Sequence, residues 1–332
     1  YRSLIEDVSI WDVAAERQVQ IEGEDAAEFV QYLTPRNLST FKDNFCRYCL
    51  LTDENGGIVN DPLVLKFNKN KYWLSIADTD VLLWCKGIAL NSEFRVKVTE
   101  PEACPLALQG PKSFDMMREI SGNNEAIMSL KYYQFVETEL FDIPVVIARS
   151  GWSNQNGYEI YIKSEADGNP LWDKLMETGQ SYNIAPGSPN QIDRMEAGMI
   201  SHLGDTTLDD NPLELNLPKF CDLDQEADFI GKEALKRIRD KGITKQFIGF
   251  KISGKNIGYN LRRMPIIDKE NIAKGFISSC IYSPNFGCNI GLGFVDIDTI
   301  SSTEVFKATV NDEVRDVEIV ALPFSSRLEK MK

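Results

Sequence analysis

The stretch from Val145 to Ile162 constrains the fold more than any other part of the chain, because it predicts a β-hairpin with a polar turn. Its first arm is a continuous apolar run rich in β-branched residues, and its second arm, from Tyr158, alternates apolar and polar residues. Glu159 and Tyr161 lie two residues apart on the second arm, so their side chains point to the same face of the sheet. Trp152 lies at the mouth of the turn. We therefore expect one carboxylate and two aromatic rings to converge, a combination that suits a flat amino-heterocycle or a cation.

The charge of the chain argues against two classes of partner. Its 332 residues carry 50 acidic and 36 basic side chains, which gives a net charge of -14. Such a protein repels nucleic acid and anionic lipid unless a local basic patch intervenes. The densest basic cluster, residues 232–245, is typical of a solvated helix face followed by a turn. No apolar run approaches the ~20 residues that span a bilayer, so we predict neither nucleic-acid nor membrane partners.

The cysteines and the histidine argue against metal chemistry. The seven cysteines are scattered and odd in number, which, with no visible signal peptide, favours a reducing cytoplasm. Cys46-Arg-Tyr-Cys49 has the spacing of half a zinc site or of a redox pair, but the chain has no second CxxC and only one histidine, His202. Two cysteines on a buried strand are the more common explanation of this spacing. We therefore predict no metal site.

Strand and helix patterns alternate along most of the chain without a regular βαβ rhythm, which predicts the α+β class. Residues 45–51 and 58–67 are typical of two strands, joined by the hairpin turn at 53–57. After Gln246 the pattern changes to short strands and glycine turns, which indicates a small all-β module. Its predicted strands are Phe247–Ile252, Phe276–Ile281, Ile290–Val295 and Val305–Val310.

Few residues outside the hairpin suggest chemistry by pattern alone. Asp61 lies inside an otherwise apolar predicted strand, just before Pro62, where it is either buried with a partner or on an edge strand facing water, and the pattern favours neither. Arg194 and Glu196 lie two apart in a predicted helix over residues 191–200, so they do not face each other, and a solvated helix face is favoured. The dinucleotide, P-loop, zinc-protease and nucleophile-elbow motifs are all missing from the sequence.

Five segments, in the correct order, resemble the glycine-cleavage T-protein (aminomethyltransferase) superfamily. They are Gly56-Gly-Ile-Val-Asn-Asp61, Ala107-Leu-Gln-Gly-Pro-Lys112, Ser150-Gly-Trp-Ser-Asn-Gln-Asn-Gly-Tyr-Glu-Ile160, Asp193-Arg-Met-Glu-Ala-Gly198, and Ser278–Pro284 followed by Gly291–Val295. The resemblance covers nearly the whole chain. It implies a T-protein-like multi-domain cloverleaf, with two interleaved, folate-binding α+β subdomains over residues 1–245 and a C-terminal β-barrel over 246–332.

Within the superfamily, the chain more closely resembles the dimethylsulfoniopropionate demethylases. In the hairpin turn, Ser153-Asn-Gln-Asn156 replaces an acidic pair of the T-proteins, and Trp152 replaces a tyrosine. The segments that resemble the demethylases are Ile10–Val19, Leu33–Ser39, Trp73–Asp78 with Leu83-Trp84, and His202–Thr207. This resemblance implies transfer of a methyl group from dimethylsulfoniopropionate to tetrahydrofolate, giving 5-methyltetrahydrofolate and 3-(methylthio)propanoate.

Three alternatives come from the same superfamily. A glycine-cleavage aminomethyltransferase would need a surface, expected to be basic, for its lipoylated carrier, and the acidic sequence offers no such surface. Another folate-dependent demethylase would act on O- or N-methyl groups, whose leaving group needs a proton. A non-enzymatic folate-binding relative would carry a cysteine motif near residues 227–234, where this chain has no cysteine.

The resemblance also implies roles for residues that bind tetrahydrofolate, the methyl acceptor. Glu159 is expected to bind the amino edge of the pterin ring. Asp61 is expected near N5 and N10 of the folate, as the catalytic carboxylate. Arg194 and Ser75 are expected to help hold the folate. No metal takes part.

A second set of residues is expected to bind the small-molecule sulfonium substrate. Trp152 and Tyr161 are candidates to face the sulfonium cation. Arg17, Arg36 or Arg149 would pair with the substrate carboxylate, and Arg17 is the first choice. Because a neutral thioether leaves, the protein need only align the reacting atoms and exclude water. A homodimer is possible.

Overall fold

The structure, a computed structural model, describes residues 1–76, 80–302 and 304–324. Two predicted segments extend beyond these ranges: the segment that resembles the demethylases, at residues 77–78, and the predicted barrel domain, at residue 303 and residues 325–332. Within the described ranges, no helix is both long enough and apolar enough to cross a membrane.

Helices and strands are interleaved through the first 241 residues, as the α+β prediction requires. In chain order they are α1 (Arg2–Glu6), β1 (Val8–Asp12), β2 (Gln18–Gly23), α2 (Ala26–Tyr32), β3 (Phe45–Tyr48), β4 (Leu51–Thr52), β5 (Ile58–Asn60), β6 (Leu63–Asn68), β7 (Lys71–Ser75), α3 (Val81–Leu90), β8 (Val96–Thr99), β9 (Cys104–Gln109), α4 (Ser113–Ile120), α5 (Glu125–Met128), β10 (Phe135–Leu140), β11 (Ile143–Ala148), β12 (Gly157–Ile162), α6 (Gly168–Gly179), β13 (Ile184–Gly187), α7 (Gln191–Glu196) and α8 (Lys232–Lys241). Strands alone follow: β14 (Lys245–Ile252), β15 (Met264–Ile267), β16 (Ala273–Ser283), β17 (Cys288–Asp296), β18 (Phe306–Val310) and β19 (Glu313–Val320). Short 3₁₀ turns lie at Glu165–Asp167, Gln180–Tyr182, Pro218–Phe220 and Ile297–Thr299.

The first sheet has six strands in the order β10-β11-β12-β9-β1-β13. All its neighbours are antiparallel except β1 and β13. One face packs against α4 and α6, where Leu108, Ile160 and Leu171 belong to one buried apolar cluster. The hairpin predicted from the sequence is formed by β11 and β12, with Ala148 opposite Glu159. That prediction is confirmed.

The second sheet has five strands in the order β3-β6-β7-β2-β8, and β4 pairs separately with β5. Helices α2 and α3 cover one face, where Phe29 and Val81 pack with Leu74. The other face meets the first sheet in a mixed cluster that includes Cys46, Leu65, Phe67 and Trp73 from the second sheet, and Phe135, Val146, Ala148 and Tyr161 from the first. Because the first sheet is thus covered on both faces, every residue of β12 is buried, although its sequence alternates.

The C-terminal strands close into a six-stranded barrel in the order β14-β17-β16-β15-β18-β19. Pairing of β14 with β19 completes the closure. The barrel packs on the preceding segment through a cluster in which Met195 and Leu215 meet Phe247 and Phe294. The predicted α+β class and C-terminal barrel are confirmed, whereas the boundary between residues 245 and 246 stays a prediction.

Two local predictions are corrected. The strands predicted over residues 45–51 and 58–67 are each divided in two, and β3 pairs with β6 while β4 pairs with β5. Pro62 lies at the break between β5 and β6, where its missing N–H cannot continue a ladder. The helix predicted over 191–200 ends at Glu196, because Gly198 adopts φ +68° and closes the helix.

Candidate functional site

Glu159 and Tyr161 point together from β12 into the contact between the two sheets. The hydroxyl of Ser150 donates a hydrogen bond to Glu159 Oε2. The Tyr161 hydroxyl lies 3.4 Å from Glu159 Oε2 and 3.4 Å from Ser75 Oγ. Glu159 is 7% exposed and Tyr161 has no exposed surface. The structure therefore brings together three of the predicted site residues, Glu159, Tyr161 and Ser75.

A row of side chains crosses the second sheet beside this carboxylate. Tyr48 pairs with Leu63, Leu63 with Ser75, and Ser75 with Gln18, so all four side chains lie on the same face. The amide nitrogen of Gln18 lies 3.3 Å from Ser75 Oγ. Its amide oxygen is buried and has no hydrogen-bond partner among the described residues. A buried acceptor of this kind is suited to a ligand that supplies a donor.

Asp61 lies at the break between β5 and β6 and is half-buried. Both patterns considered from the sequence are thus partly correct, since the carboxylate has a protein partner and the residue keeps some exposed surface. The hydroxyl of Tyr48 donates to Asp61 Oδ2 at 2.9 Å. Burial, followed by the nearby charge of Asp61, raises the pKa of Tyr48 well above its usual range. Tyr48 is therefore a neutral donor that orients the carboxylate.

Strand β3 links the two carboxylates. Cys46 and Tyr48 lie two residues apart and share a face, about 7 Å apart along the strand. Tyr48 contacts Asp61. The pKa of the Cys46 thiol is raised mainly by burial and secondly by the charge of Glu159, so Glu159 lies close to Cys46. Cys46 and Cys49 are both buried free thiols. In the described part of the chain, no three His, Cys, Asp or Glu residues are grouped to hold a metal ion.

Arg194 and Glu196 are fully buried, so the solvated helix face favoured by their spacing is wrong. Helix α7 is enclosed between the hairpin turn and the barrel. Glu196 accepts hydrogen bonds from Tyr1 and Ser283. All five N–H groups of Arg194 are used. Their acceptors are Gln191 Oε1, Met199 O, Asp205 Oδ2, Ser279 Oγ and the Tyr259 hydroxyl.

Trp152 is half-buried and lies against Arg194, whose guanidinium carbon is 5.8 Å from the ring centroid. The polar turn beside it is fixed to α7, since Asp193 accepts hydrogen bonds from the Asn154 backbone and from the Gln155 side chain. A different tryptophan, Trp73, packs on Tyr161, with ring centroids 6.0 Å apart. The two aromatic residues of the predicted donor site therefore belong to different local clusters.

The three arginines considered for the substrate carboxylate differ in their surroundings. Arg17 is 48% exposed and forms an ion pair with Glu100, so the structure does not bring it to the Glu159 cluster. Arg149 donates to Leu130 O at 2.9 Å. Arg36 donates to the backbone oxygen of Tyr48, the residue that holds Asp61.

Sequence reasoning missed several members of this site. Asp205 is fully buried and accepts hydrogen bonds from Arg194 and from the hydroxyls of Ser278 and Ser279. Two adjacent serines between the apolar residues Ile277 and Cys280 were the available signal, since the buried part of a strand uses polar residues only where they have partners. Gln18 gave no comparable signal, because its role depends on the register of β2 with β7.

Comparisons with known proteins match this architecture. The model of the GCVT N-terminal domain family matches residues 1–225, and that of the glycine cleavage T-protein C-terminal barrel domain matches residues 245–325. The dimethylsulfoniopropionate demethylase DmdA of Ruegeria pomeroyi is 38% identical over 293 residues, which cover 88% of this chain and 79% of that protein. An aminomethyltransferase of Bacillus pumilus is 30% identical, over 96% of this chain and 87% of its own length.

Among solved structures, the glycine cleavage system aminomethyltransferase T of Bartonella henselae superposes with a TM-score of 0.86. The match covers 98% of this chain and 88% of that one, at 22% identity. At this identity, the likeness shows the fold, a T-protein-like cloverleaf that ends in a β-barrel. The two domain models and the similar sequences show that the chain belongs to the glycine cleavage T-protein family.

Proposed function

We propose that this chain is a tetrahydrofolate-dependent demethylase. It transfers a methyl group from dimethylsulfoniopropionate to tetrahydrofolate, giving 5-methyltetrahydrofolate and 3-(methylthio)propanoate. The observation that carries the proposal is the 38% identity with the Ruegeria pomeroyi demethylase over 88% of the chain. Aminomethyltransferases that cover a similar or larger share of the chain are only 27–30% identical.

The residues between the two sheets fit tetrahydrofolate. The amino-pterin ring presents N–H donors along one edge, and the buried Glu159 carboxylate offers only acceptors. Ser75 lies in the adjacent row, as does the amide oxygen of Gln18, which has no hydrogen-bond partner among the residues that the structure describes. We therefore assign Glu159, Ser75 and Gln18 to the pterin ring, and place Asp61 near N5.

The methyl transfer requires the protein mainly to align the donor with N5 of the folate. When bound, tetrahydrofolate supplies the secondary amine N5 that accepts the methyl group. The carbon–sulfur bond of the donor breaks with its electron pair remaining on sulfur, so the leaving thioether is neutral and needs no proton. Asp61, half-buried and oriented by Tyr48, takes up the proton that the amine releases and passes it to water. Holding donor and acceptor in line, with water excluded, supplies the rest of the rate enhancement.

The donor has two charged ends, which call for different partners. We assign the sulfonium to Trp152, because the ring of Tyr161 packs on Trp73 and its hydroxyl faces the Glu159 carboxylate, which it orients. We assign the carboxylate to Arg36 rather than to Arg17, since Arg17 is held by Glu100 at the surface. Arg36 also lies 4.9 Å from the ring centroid of Phe220, and that ring packs on Tyr48.

Product analysis tests the proposal directly. The protein is incubated anaerobically with tetrahydrofolate and one of three donors: dimethylsulfoniopropionate, an aminomethylated lipoyl carrier, or glycine betaine as an N-methyl donor. We expect 5-methyltetrahydrofolate and 3-(methylthio)propanoate with the first donor alone. Turnover of the lipoyl carrier in place of the sulfonium would assign the chain to the aminomethyltransferases.

A matched pair of variants tests the role of Asp61. Asp61→Asn removes the proton acceptor and keeps the side-chain shape, whereas Tyr48→Phe removes only the hydroxyl that orients it. We expect kcat to fall by roughly 10²- to 10⁴-fold in the first variant and by less than tenfold in the second. Equal kcat in Asp61→Asn and the unmodified protein would exclude Asp61 from proton transfer.

The cellular location and the assembly stay predictions. We propose a cytoplasmic protein, which the seven free thiols support. We also propose a homodimer, which sedimentation of the purified protein would test.

A further inference from the structure

Arg194 and Asp205 form an ion pair in which neither side chain has any exposed surface. Arg194 has five N–H groups, and each already has an acceptor within the protein. Asp205 is equally occupied, since its two oxygens accept from Arg194, the Ser201 backbone, Ser278 and Ser279. An arginine with no exposed atom and no spare donor does not bind a ligand directly.

Arg194 instead lies over the ring of Trp152, and Asp205 is bonded to Arg194. The guanidinium carbon of Arg194 lies over the ring, 5.8 Å from its centroid, and Trp152 as a residue is only half-buried. A cation on one face of an indole weakens the attraction of the other face for a second cation, because both draw on the same π electrons. A carboxylate bonded to the first cation cancels most of that effect, since the pair carries no net charge.

We infer that Arg194 and Asp205 are a positioning pair that fixes Trp152 and neutralises the charge behind it, so that the ring can receive the sulfonium. The inference rests on the proposed function for the identity of the cation. It replaces the direct folate contact that family resemblance implies for Arg194. Neither residue touches the substrate, so both act through Trp152.

A charged and a neutral ligand of the same shape test the electrostatic part. 4-Methylpentanoate has carbon in place of the sulfonium sulfur of dimethylsulfoniopropionate and lacks its positive charge. Both Kd values are measured by NMR titration with 5-methyltetrahydrofolate bound, because this folate cannot accept a methyl group. In Asp205→Asn we expect the Kd of the sulfonium to rise roughly three- to thirtyfold, and that of the neutral analogue to change less than twofold.

Two further variants separate this role from a purely structural one. Arg194→Gln combined with Asp205→Asn removes both charges, and we expect it to bind the sulfonium more tightly than Asp205→Asn alone. Asp205→Asn leaves a buried arginine uncompensated, which can prevent folding. In that case the double variant is compared with the unmodified protein, and we expect the two Kd values for the sulfonium to agree within threefold. Equal weakening of both ligands in either variant would make the pair structural only.

The Kd of tetrahydrofolate, measured by calorimetry, tests the assignment of Arg194 without any methyl donor. We expect Arg194→Gln to change this Kd less than twofold. A tenfold rise would indicate a direct contact between Arg194 and folate and would overturn the inference. Trp152 emission, taken as the difference from Trp152→Phe, should change in Arg194→Gln. If the unmodified protein binds folate but not the sulfonium, the proposed donor is refuted. If the unmodified protein binds the sulfonium but the variants do not weaken it more than the neutral analogue, the positioning pair is refuted.

Discussion

Replacement of Glu159 by glutamine is the most direct test of the folate site. The carboxylate is 7% exposed, lies between the two sheets, and accepts a hydrogen bond from Ser150. Glutamine has nearly the same shape but carries no charge, and it presents a donor where the carboxylate presents only acceptors. The pterin amino edge would therefore lose a charge-assisted hydrogen bond while its surroundings stay in place.

The size of the effect follows from that single bond. A hydrogen bond to a charged group contributes about 1.5–3 kcal/mol, which corresponds to a roughly 10- to 150-fold rise in the Kd of tetrahydrofolate. The free energy of unfolding should change by less than about 1 kcal/mol, because Ser150 can still donate to the amide oxygen of glutamine. Calorimetric titration with reduced tetrahydrofolate measures the first quantity, and urea denaturation measures the second.

Tyr161→Phe is the matched control, since it keeps the buried ring and removes only a hydroxyl 3.4 Å from the Glu159 carboxylate. At that distance a hydrogen bond is weak, so we expect its Kd for tetrahydrofolate to rise less than about fivefold. If Glu159→Gln binds tetrahydrofolate within twofold of the unmodified protein, the pterin edge is not bound by this carboxylate. The same result would refute the proposed pterin site between the two sheets.

Three further predictions concern stability, measured by urea denaturation. Hydrogen bonds from Arg95 lower the pKa of Asp25 from 3.8 to about 2. The stability that this carboxylate contributes is present above pH 3.8 and is lost as the pH falls through about 2. Asp25→Asn should therefore destabilise the protein at pH 7 and have little effect at pH 2. Gly87→Ala should stabilise by about 0.5–1 kcal/mol, since the helix α3 position leaves open space for a Cβ. Gly110→Ala should destabilise by at least about 2 kcal/mol, because φ is +132° and the new Cβ would lie 2.4 Å from Asp7 O.

The sequence predicted those features that depend on local periodicity. Glu159 and Tyr161 share a face because strand side chains alternate, and that rule needs no knowledge of the rest of the fold. The burial of Arg194 could not be predicted in this way. Its partner Ser279 lies 85 residues away on the barrel, and a six-residue helix carries too little periodicity to reveal which sides are covered. Only tertiary packing of α7 against the barrel decides it.

The strand break at Pro62, which the sequence did not predict, gives Asp61 different surroundings from those of Glu159. A continuous strand through residues 58–67 would have placed Asp61 within a ladder, whereas the proline ends the pairing there and the residue Asp61 is half-buried. Glu159, in contrast, lies within an unbroken strand whose residues are all buried. The two residues therefore differ in their access to solvent. A group that takes up and releases a proton needs that access, whereas a group that only binds an amino edge does not, and this difference supports assigning proton transfer to Asp61 and recognition to Glu159.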